Sequence, residues 1–285
     1  MRVRAVRWSL VLVLVLPFAP SVGAQKPPAL PDLLKLAGDS VAQYAGQLGT
    51  IAADEEFMQF ETTSGRMSTP KRVNSVVVLH GTPDGTLHTF RDLVAIDTVP
   101  VRAKDDRLAA LFKNPTQASI TSAESMTEEA VRAYFGPNLH LLDNPLLAID
   151  LLRTANQENS TWKVDGTKKV NGVQTAVLKF SEKGKGRLVT GGSYLGRYWI
   201  DPATGAIHQT EMGFVLEAGQ IHATVKFTKD AQLGLLVPSE LSEVAEMSSP
   251  QGGLSNMGAG GQLSGRQSVE GRASYNGYRR VAAQQ

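Results

Sequence analysis

Hydrophobic positions recur along this chain with two periods. From Leu30 to Leu48 they fall three or four residues apart, at Leu30, Leu33, Leu34, Ala37, Val41, Tyr44 and Leu48. That spacing predicts a helix, with Asp32 as its N-cap or first-turn acid and with Gly46 and Gly49 weakening its end. From Ile51 to Glu61 the period drops to two: Glu55, Phe57 and Gln59 alternate with Glu56, Met58 and Phe60, which suits a strand. Val73–His80 and Leu87–Ile96 follow as strands. The run Gly81-Thr82-Pro83-Asp84-Gly85 between them supplies the dihedrals that a hairpin reversal needs.

Residues 102–153 return to helical spacing. Leu108, Leu111 and Phe112 mark a short helix ending before Pro115. Thr127 is placed to cap a second helix that ends at Gly136-Pro137. Asn144-Pro145 is placed to start a third, with Asn capping and Pro in the first turn. From Thr161 the two-residue period takes over again. Trp162–Val164 and Thr167–Val170 flank Asp165-Gly166, and Asn171-Gly172 is a hairpin dipeptide. Further strands are predicted around Ala176–Phe180, Tyr194–Ile200 and His208–Leu216. The clearest alternation sets Ile221, Ala223, Val225 and Phe227 inward against His222, Thr224, Lys226 and Thr228. Leu233–Val244 reads as a strand in which Pro238 favours an edge or a bulge. Residues 248–268 form a Gly/Ser-rich loop expected to be flexible, and Val269–Val281 is a last strand.

The sum is an antiparallel meander of roughly eight to ten strands. Its apolar face must be covered, and the N-terminal helix and the 102–153 insert are the available cover. This gives a single α+β domain over 25–285, a curved antiparallel sheet in the form of an unclosed barrel.

The first 24 residues stand apart. Arg2, Arg4 and Arg7 precede the apolar run Leu10–Leu16, Pro17 and Pro20 end it, and Val22-Gly23-Ala24 offers small residues for cleavage. This is the pattern of a secretory signal peptide, and its apolar run falls well short of the about 20 residues of a membrane span. Removing it changes the charge. The chain holds 29 Lys+Arg and 27 Asp+Glu, and three of the Arg but none of the acids lie in the segment. The mature chain therefore carries 26 against 27. No basic stripe argues for nucleic acid, and no second stretch approaches membrane length. The expected location is periplasmic or secreted. With no cysteine, disulfides and thiolate metal sites are excluded.

Candidate chemistry is sparse. Gly191-Gly192-Ser193-Tyr194-Leu195 lacks the Gly that a nucleophile elbow needs two residues after Ser, and a strand follows it. Ser68-Thr69-Pro70-Lys71 and Ser160-Thr161-Trp162-Lys163 match S-x-x-K without the partner motifs. The five histidines show no ligand spacing, although His208 and His222 could meet across adjacent strands. Asp54-Glu55-Glu56 and Asp105-Asp106 read as solvated acids. Gly184-Lys185-Gly186-Arg187 reads as a hairpin tip without Walker spacing. Nothing calls for a catalytic residue, a metal or a cofactor. The strand aromatics Trp162, Tyr198, Trp199, Phe214 and Phe227 serve either as core or, in a strongly curved sheet, as the wall of a ligand cavity.

The run from Gly196 to Glu211 contains Trp199-Ile200-Asp201-Pro202-Ala203-Thr204-Gly205, and an alternating strand then leads to Leu233-Gly234-Leu235-Leu236-Val237-Pro238. This order over residues 160–245 resembles uncharacterised secreted bacterial proteins and is similar to the outer-membrane lipoprotein-sorting carriers, the LolA-like fold. Ala53–Phe60 and Phe90–Phe112 resemble the same secreted group. The resemblance implies an unclosed antiparallel barrel with a helical lid over an apolar cavity. It transfers no functional residue, because the motif positions are turn formers and core aromatics. The function expected is non-enzymatic binding of a lipid or acyl chain in the cell envelope. The alternatives are an interaction module for an envelope protein partner and a hydrolase with an unrecognised site.

Overall fold

The computed structural model describes residues 28–63, 65–134, 144–184, 192–216, 219–248 and 266–281. The expected export signal, the 185–187 part of the Gly184–Arg187 tip, the Gly136-Pro137 stop and most of the Gly/Ser-rich loop lie outside the described residues.

Helix α1 spans Leu30–Leu48, and Leu33, Ala37, Val41, Ala45 and Leu48 form its buried stripe. Asp32 sits in its first turn and Ala29 is the N-cap. The helix runs through Gly46 and ends where Gly49 turns to φ +52. Five strands follow, β1 (Thr50–Thr63), β2 (Arg66–Met67), β3 (Lys71–Gly81), β4 (Leu87–Ile96) and β5 (Val99–Pro100). Helices α2 (Arg107–Leu111), α3 (Gln117–Val131), α4 (Leu147–Leu151) and α5 (Thr154–Gln157) come next. The remaining strands are β6 (Ser160–Val170), β7 (Val173–Glu182), β8 (Gly192–Ile200), β9 (Ile207–Leu216), β10 (Gly219–Lys229), β11 (Leu236–Ser248) and β12 (Arg266–Arg280).

The twelve strands of the described residues join one antiparallel sheet in the order β5-β4-β3-β1-β12-β11-β10-β9-β8-β7-β6, with β2 paired to β1. The sheet is open, with edges at β5 and β6. It is also curled. Leu87 N–H of β4 donates to Asp150 Oδ1 of α4 at 3.3 Å, and Tyr198 O–H of β8 donates to Ala148 O of the same helix at 2.9 Å. Strands β4 and β8 are seven places apart in the order, about 34 Å in a flat sheet. A five-residue helix is only about 8 Å long. The sheet must bend around α4 for both bonds to form, so the fold is the unclosed α+β barrel expected, with α1 and α4 on its concave face.

That face holds the main core, running from Phe57, Val77 and Leu79 to Phe180, Tyr198 and Phe214. The opposite face is covered at β1, β3 and β4 by α2 and α3, where Phe90 and Phe112 pack with ring centroids 5.1 Å apart. Toward the other edge of that outer face, Val170, Val177 and Trp199 form a small cluster.

Three local readings differ from expectation, and the reading of Pro238 at an edge or a bulge holds as a bulge. Thr127 is inside α3, with its hydroxyl donating to Ala123 O and accepting from Arg91 N–H. The cap is Thr116, whose Oγ1 accepts from Ser119 N–H. The run between them has few large apolar residues, so its helical period is faint. Asp165-Gly166 does not divide two strands but is a bulge within β6, permitted by Gly166 at φ +94. Pro238 lies in an interior strand, at the bulge opposite Lys226 and Phe227, a place in a sheet where proline is tolerated. Strand β12 begins at Arg266, so the last positions assigned to the Gly/Ser-rich loop belong to the ladder with β1 and β11.

Candidate functional site: a cavity between the first helix and the sheet

Two turns of matching construction position the site. In Asp201–Ala206, Asp201 N–H donates to Ala206 O, Gly205 N–H donates to Asp201 O, and Ala203 N–H donates to Asp201 Oδ1. In Asp230–Leu235 the same three bonds recur, from Asp230 N–H to Leu235 O, Gly234 N–H to Asp230 O, and Gln232 N–H to Asp230 Oδ1. Both glycines take positive φ, +75 at Gly205 and +70 at Gly234. The D-x-x-x-G spacing dictates this, since the aspartate must accept locally and the fifth residue must turn left-handed. Asn171-Gly172, at φ +48 and +83, makes a third reversal, and Asn171 Nδ2 donates to Phe227 O at 3.0 Å. These reversals stand at one end of the sheet, against α1.

Helix α1 approaches them closely. A Cβ on Gly205 would lie 2.5 Å from Leu36 O, and one on Gly81 would lie 2.2 Å from Ala45 O. Gln157 Nε2 donates to Leu34 O, and Arg280 Nη1 donates to Gln47 O. Between these seats the helix and the sheet leave a cavity of about 560 Å³. Its wall is formed by Val41, Ile149, Ile207, Phe227 and Leu235, all buried. Its rim is polar and exposed, with Gln43, Gln47, Asn171, Thr204, Thr228 and Lys229.

Two polar side chains interrupt the wall. The Tyr44 hydroxyl and His208 Nδ1 are both buried and, among the described residues, have no hydrogen-bond partner. Burial pushes the Tyr44 phenol up. Burial also lowers His208, against a smaller upward pull from Asp201. Ser40 shares the wall, but among the described residues no hydrogen bond joins it to His208.

Of the five aromatics considered from the sequence, Phe227 lines this cavity. Trp162, Tyr198 and Phe214 occupy the same face of the sheet but pack elsewhere. Trp162, Phe180 and Tyr198 form a ring cluster with centroids 5.3 to 5.9 Å apart, and Trp162 Nε1 donates to Gln157 O. Phe214 packs on Tyr194 at 4.8 Å. Trp199 is on the outer face with Lys168 Nζ 5.6 Å from its ring. His208 and His222 do not meet: His208 lines the cavity, whereas His222 projects outward opposite Gly213, against whose position its ring packs. Tyr44 and His208 are not marked as cavity residues by the sequence: Tyr44 belongs to the helical stripe and His208 opens a strand, and only the D-x-x-x-G turns mark the place.

A second buried polar group lies on the same face outside the cavity. Arg91 Nε and Nη2 bind Glu55 Oε2 and Oε1 at 2.8 and 3.0 Å, with the side chains 3% and 1% exposed. Among the described residues no three of His, Asp or Glu converge as a metal site, and no helix is long and apolar enough to cross a membrane.

No known protein family matches the sequence, and no curated protein does so. Solved structures similar to this chain include a protein described as an outer-membrane lipoprotein-sorting domain from Vibrio parahaemolyticus, at 12% identity over 86% of this chain and 91% of that one, TM-score 0.35. A LolA superfamily protein from Nitrosomonas europaea matches at 11% identity over 88% and 94%, TM-score 0.35. A DUF1329 family protein from Desulfovibrio piger matches at 10% identity over 87% and 93%, TM-score 0.36.

Proposed function

We propose that this chain is an exported, non-enzymatic binding protein of the cell envelope that takes a lipid or acyl chain into the cavity between α1 and the sheet. The cavity carries this reading. Its volume of about 560 Å³ lies within the usual range for small-molecule sites, and an apolar wall under a polar rim is the usual lining. Among the described residues no hydrogen bond joins His208 to a serine or threonine hydroxyl, which supports binding over hydrolysis. The partner-protein alternative would use the free edge β6. That strand carries Lys163, Lys168 and Lys169 and a bulge at Gly166, devices that discourage strand addition.

A fluorescent acyl probe tests the reading. Wild-type protein is expected to bind it and Ala206→Trp, which fills the wall, to weaken binding by tenfold or more with unchanged circular dichroism. Failure of the wild type to bind acyl probes, and absence of co-purified lipid in native mass spectrometry, would refute it. Export is tested separately: the N-terminus of protein recovered from the envelope is expected to be Gln25.

A further inference from the structure

The two unpartnered groups in the cavity wall bear on what the ligand carries. Buried polar atoms are nearly always hydrogen-bonded, and a bare one costs stability. Here two such atoms, from different elements, line one cavity: the Tyr44 hydroxyl from α1 and His208 Nδ1 from β9. His208 is only 9% exposed. A hydrocarbon would leave both unmatched.

Their chemistry narrows the match. Burial keeps the Tyr44 phenol protonated, so it donates. Burial also keeps His208 neutral at neutral pH, leaving one ring N–H to donate and one ring nitrogen to accept. The cation among the lining residues, Lys229, stands exposed at the rim. The inner wall therefore suits an uncharged acceptor better than a bare carboxylate, which would need a buried cation.

We propose that the cavity's ligand carries a carbonyl oxygen, in an ester or carboxyl group, and that Tyr44 and His208 hydrogen-bond its polar end while the chain lies along Val41, Ile207, Phe227 and Leu235. This rests on the binding reading above and adds the ligand's polar chemistry to it.

The test is displacement of the neutral apolar probe N-phenyl-1-naphthylamine by dodecane, methyl dodecanoate and dodecanoate, with Tyr44→Phe and His208→Leu beside the wild type. The wild type is expected to prefer at least one carbonyl compound over dodecane by about three- to tenfold. A tighter methyl ester identifies an esterified ligand; dodecanoate that tightens as pH falls toward its pKa identifies the protonated acid, and dodecanoate that binds tightest at every pH overturns the uncharged acceptor. Each variant is expected to lose part of that preference while dodecane affinity holds. Tyr44→Phe removes one oxygen from a half-buried helix position, so it carries the test if His208→Leu fails to fold. Equal affinity for all three compounds, or a preference untouched by Tyr44→Phe, overturns this proposal alone. No binding of the probe or of any compound overturns the binding reading with it.

Discussion

At the scale of single residues, charge sits where the alternation calls for apolar side chains. Glu55 occupies the inward position of β1 between Ala53 and Phe57, and Arg91 meets it from β4 with two hydrogen bonds. Removing one member of such a pair leaves an uncompensated buried charge, whereas removing both need not. Arg91→Met is therefore expected to cost about 3–5 kcal/mol in denaturant unfolding. Adding Glu55→Leu should recover a large part of that loss. A double variant no more stable than Arg91→Met would show that the pair is not the unit. Histidine supplies a pH dependence. Burial lowers His208 and His80 below the ordinary 6.5, with His88 adding to the effect at His80 and the Gly49 backbone opposing it. The unfolded chain then takes up protons first as pH falls, so this stability is present above about pH 6.5 and is lost below it. The urea midpoint is expected to drop between pH 7.5 and pH 5, and His208→Phe to flatten the drop. At this scale little was legible from the chain. An alternating Glu gives no sign of whether an Arg will arrive opposite it, because Arg91 lies far along the sequence.

At the scale of elements, helices and strands were largely legible, since each burial stripe has its own period. The alternation from Ile221 to Phe227 is the burial pattern of β10, and Leu33, Ala37, Val41 and Leu48 of the stripe read for α1 are buried, with Leu30, Leu34 and Tyr44 partly so. What fails to show is how closely elements approach. Gly46 and Gly205 are both glycines near α1 and should answer oppositely to alanine. Gly46 is exposed in the helix with nothing within 4 Å of a Cβ, so Gly46→Ala is expected to stabilise by about 0.5–1 kcal/mol. Gly205 combines φ +75 with a Cβ position 2.5 Å from the Leu36 carbonyl. Gly205→Ala is expected to cost about 2–4 kcal/mol and to weaken acyl-probe binding by lifting α1 from its seat. Thermal unfolding of the two variants in parallel checks both signs.

At the scale of the whole molecule, the order of the sheet makes the ends of the chain interdependent. Strand β12 lies between β1 and β11, so the first strand of the chain takes one of its neighbours from the last. Deleting residues 266–285 should leave β1 and β11 with unpaired interior edges and abolish cooperative unfolding, as read by circular dichroism on heating. A sharp transition near the wild-type temperature in that variant would mean that the two halves of the sheet fold apart.

The sequence alone determined the inventory: one amphipathic helix, short helices in the middle, a long series of antiparallel strands, and D-x-x-x-G turns whose bonds are local. These depend on neighbours within a few residues, and so they are written in periods and turn residues. The tertiary structure alone decided that β1 pairs with β12, that Arg91 finds Glu55, that Trp199 faces away from the other aromatics, and that Tyr44 and His208 share a cavity wall. Each of those depends on how far the sheet curls around α1 and α4. That curl is set by packing between segments remote in the chain, which no local pattern records.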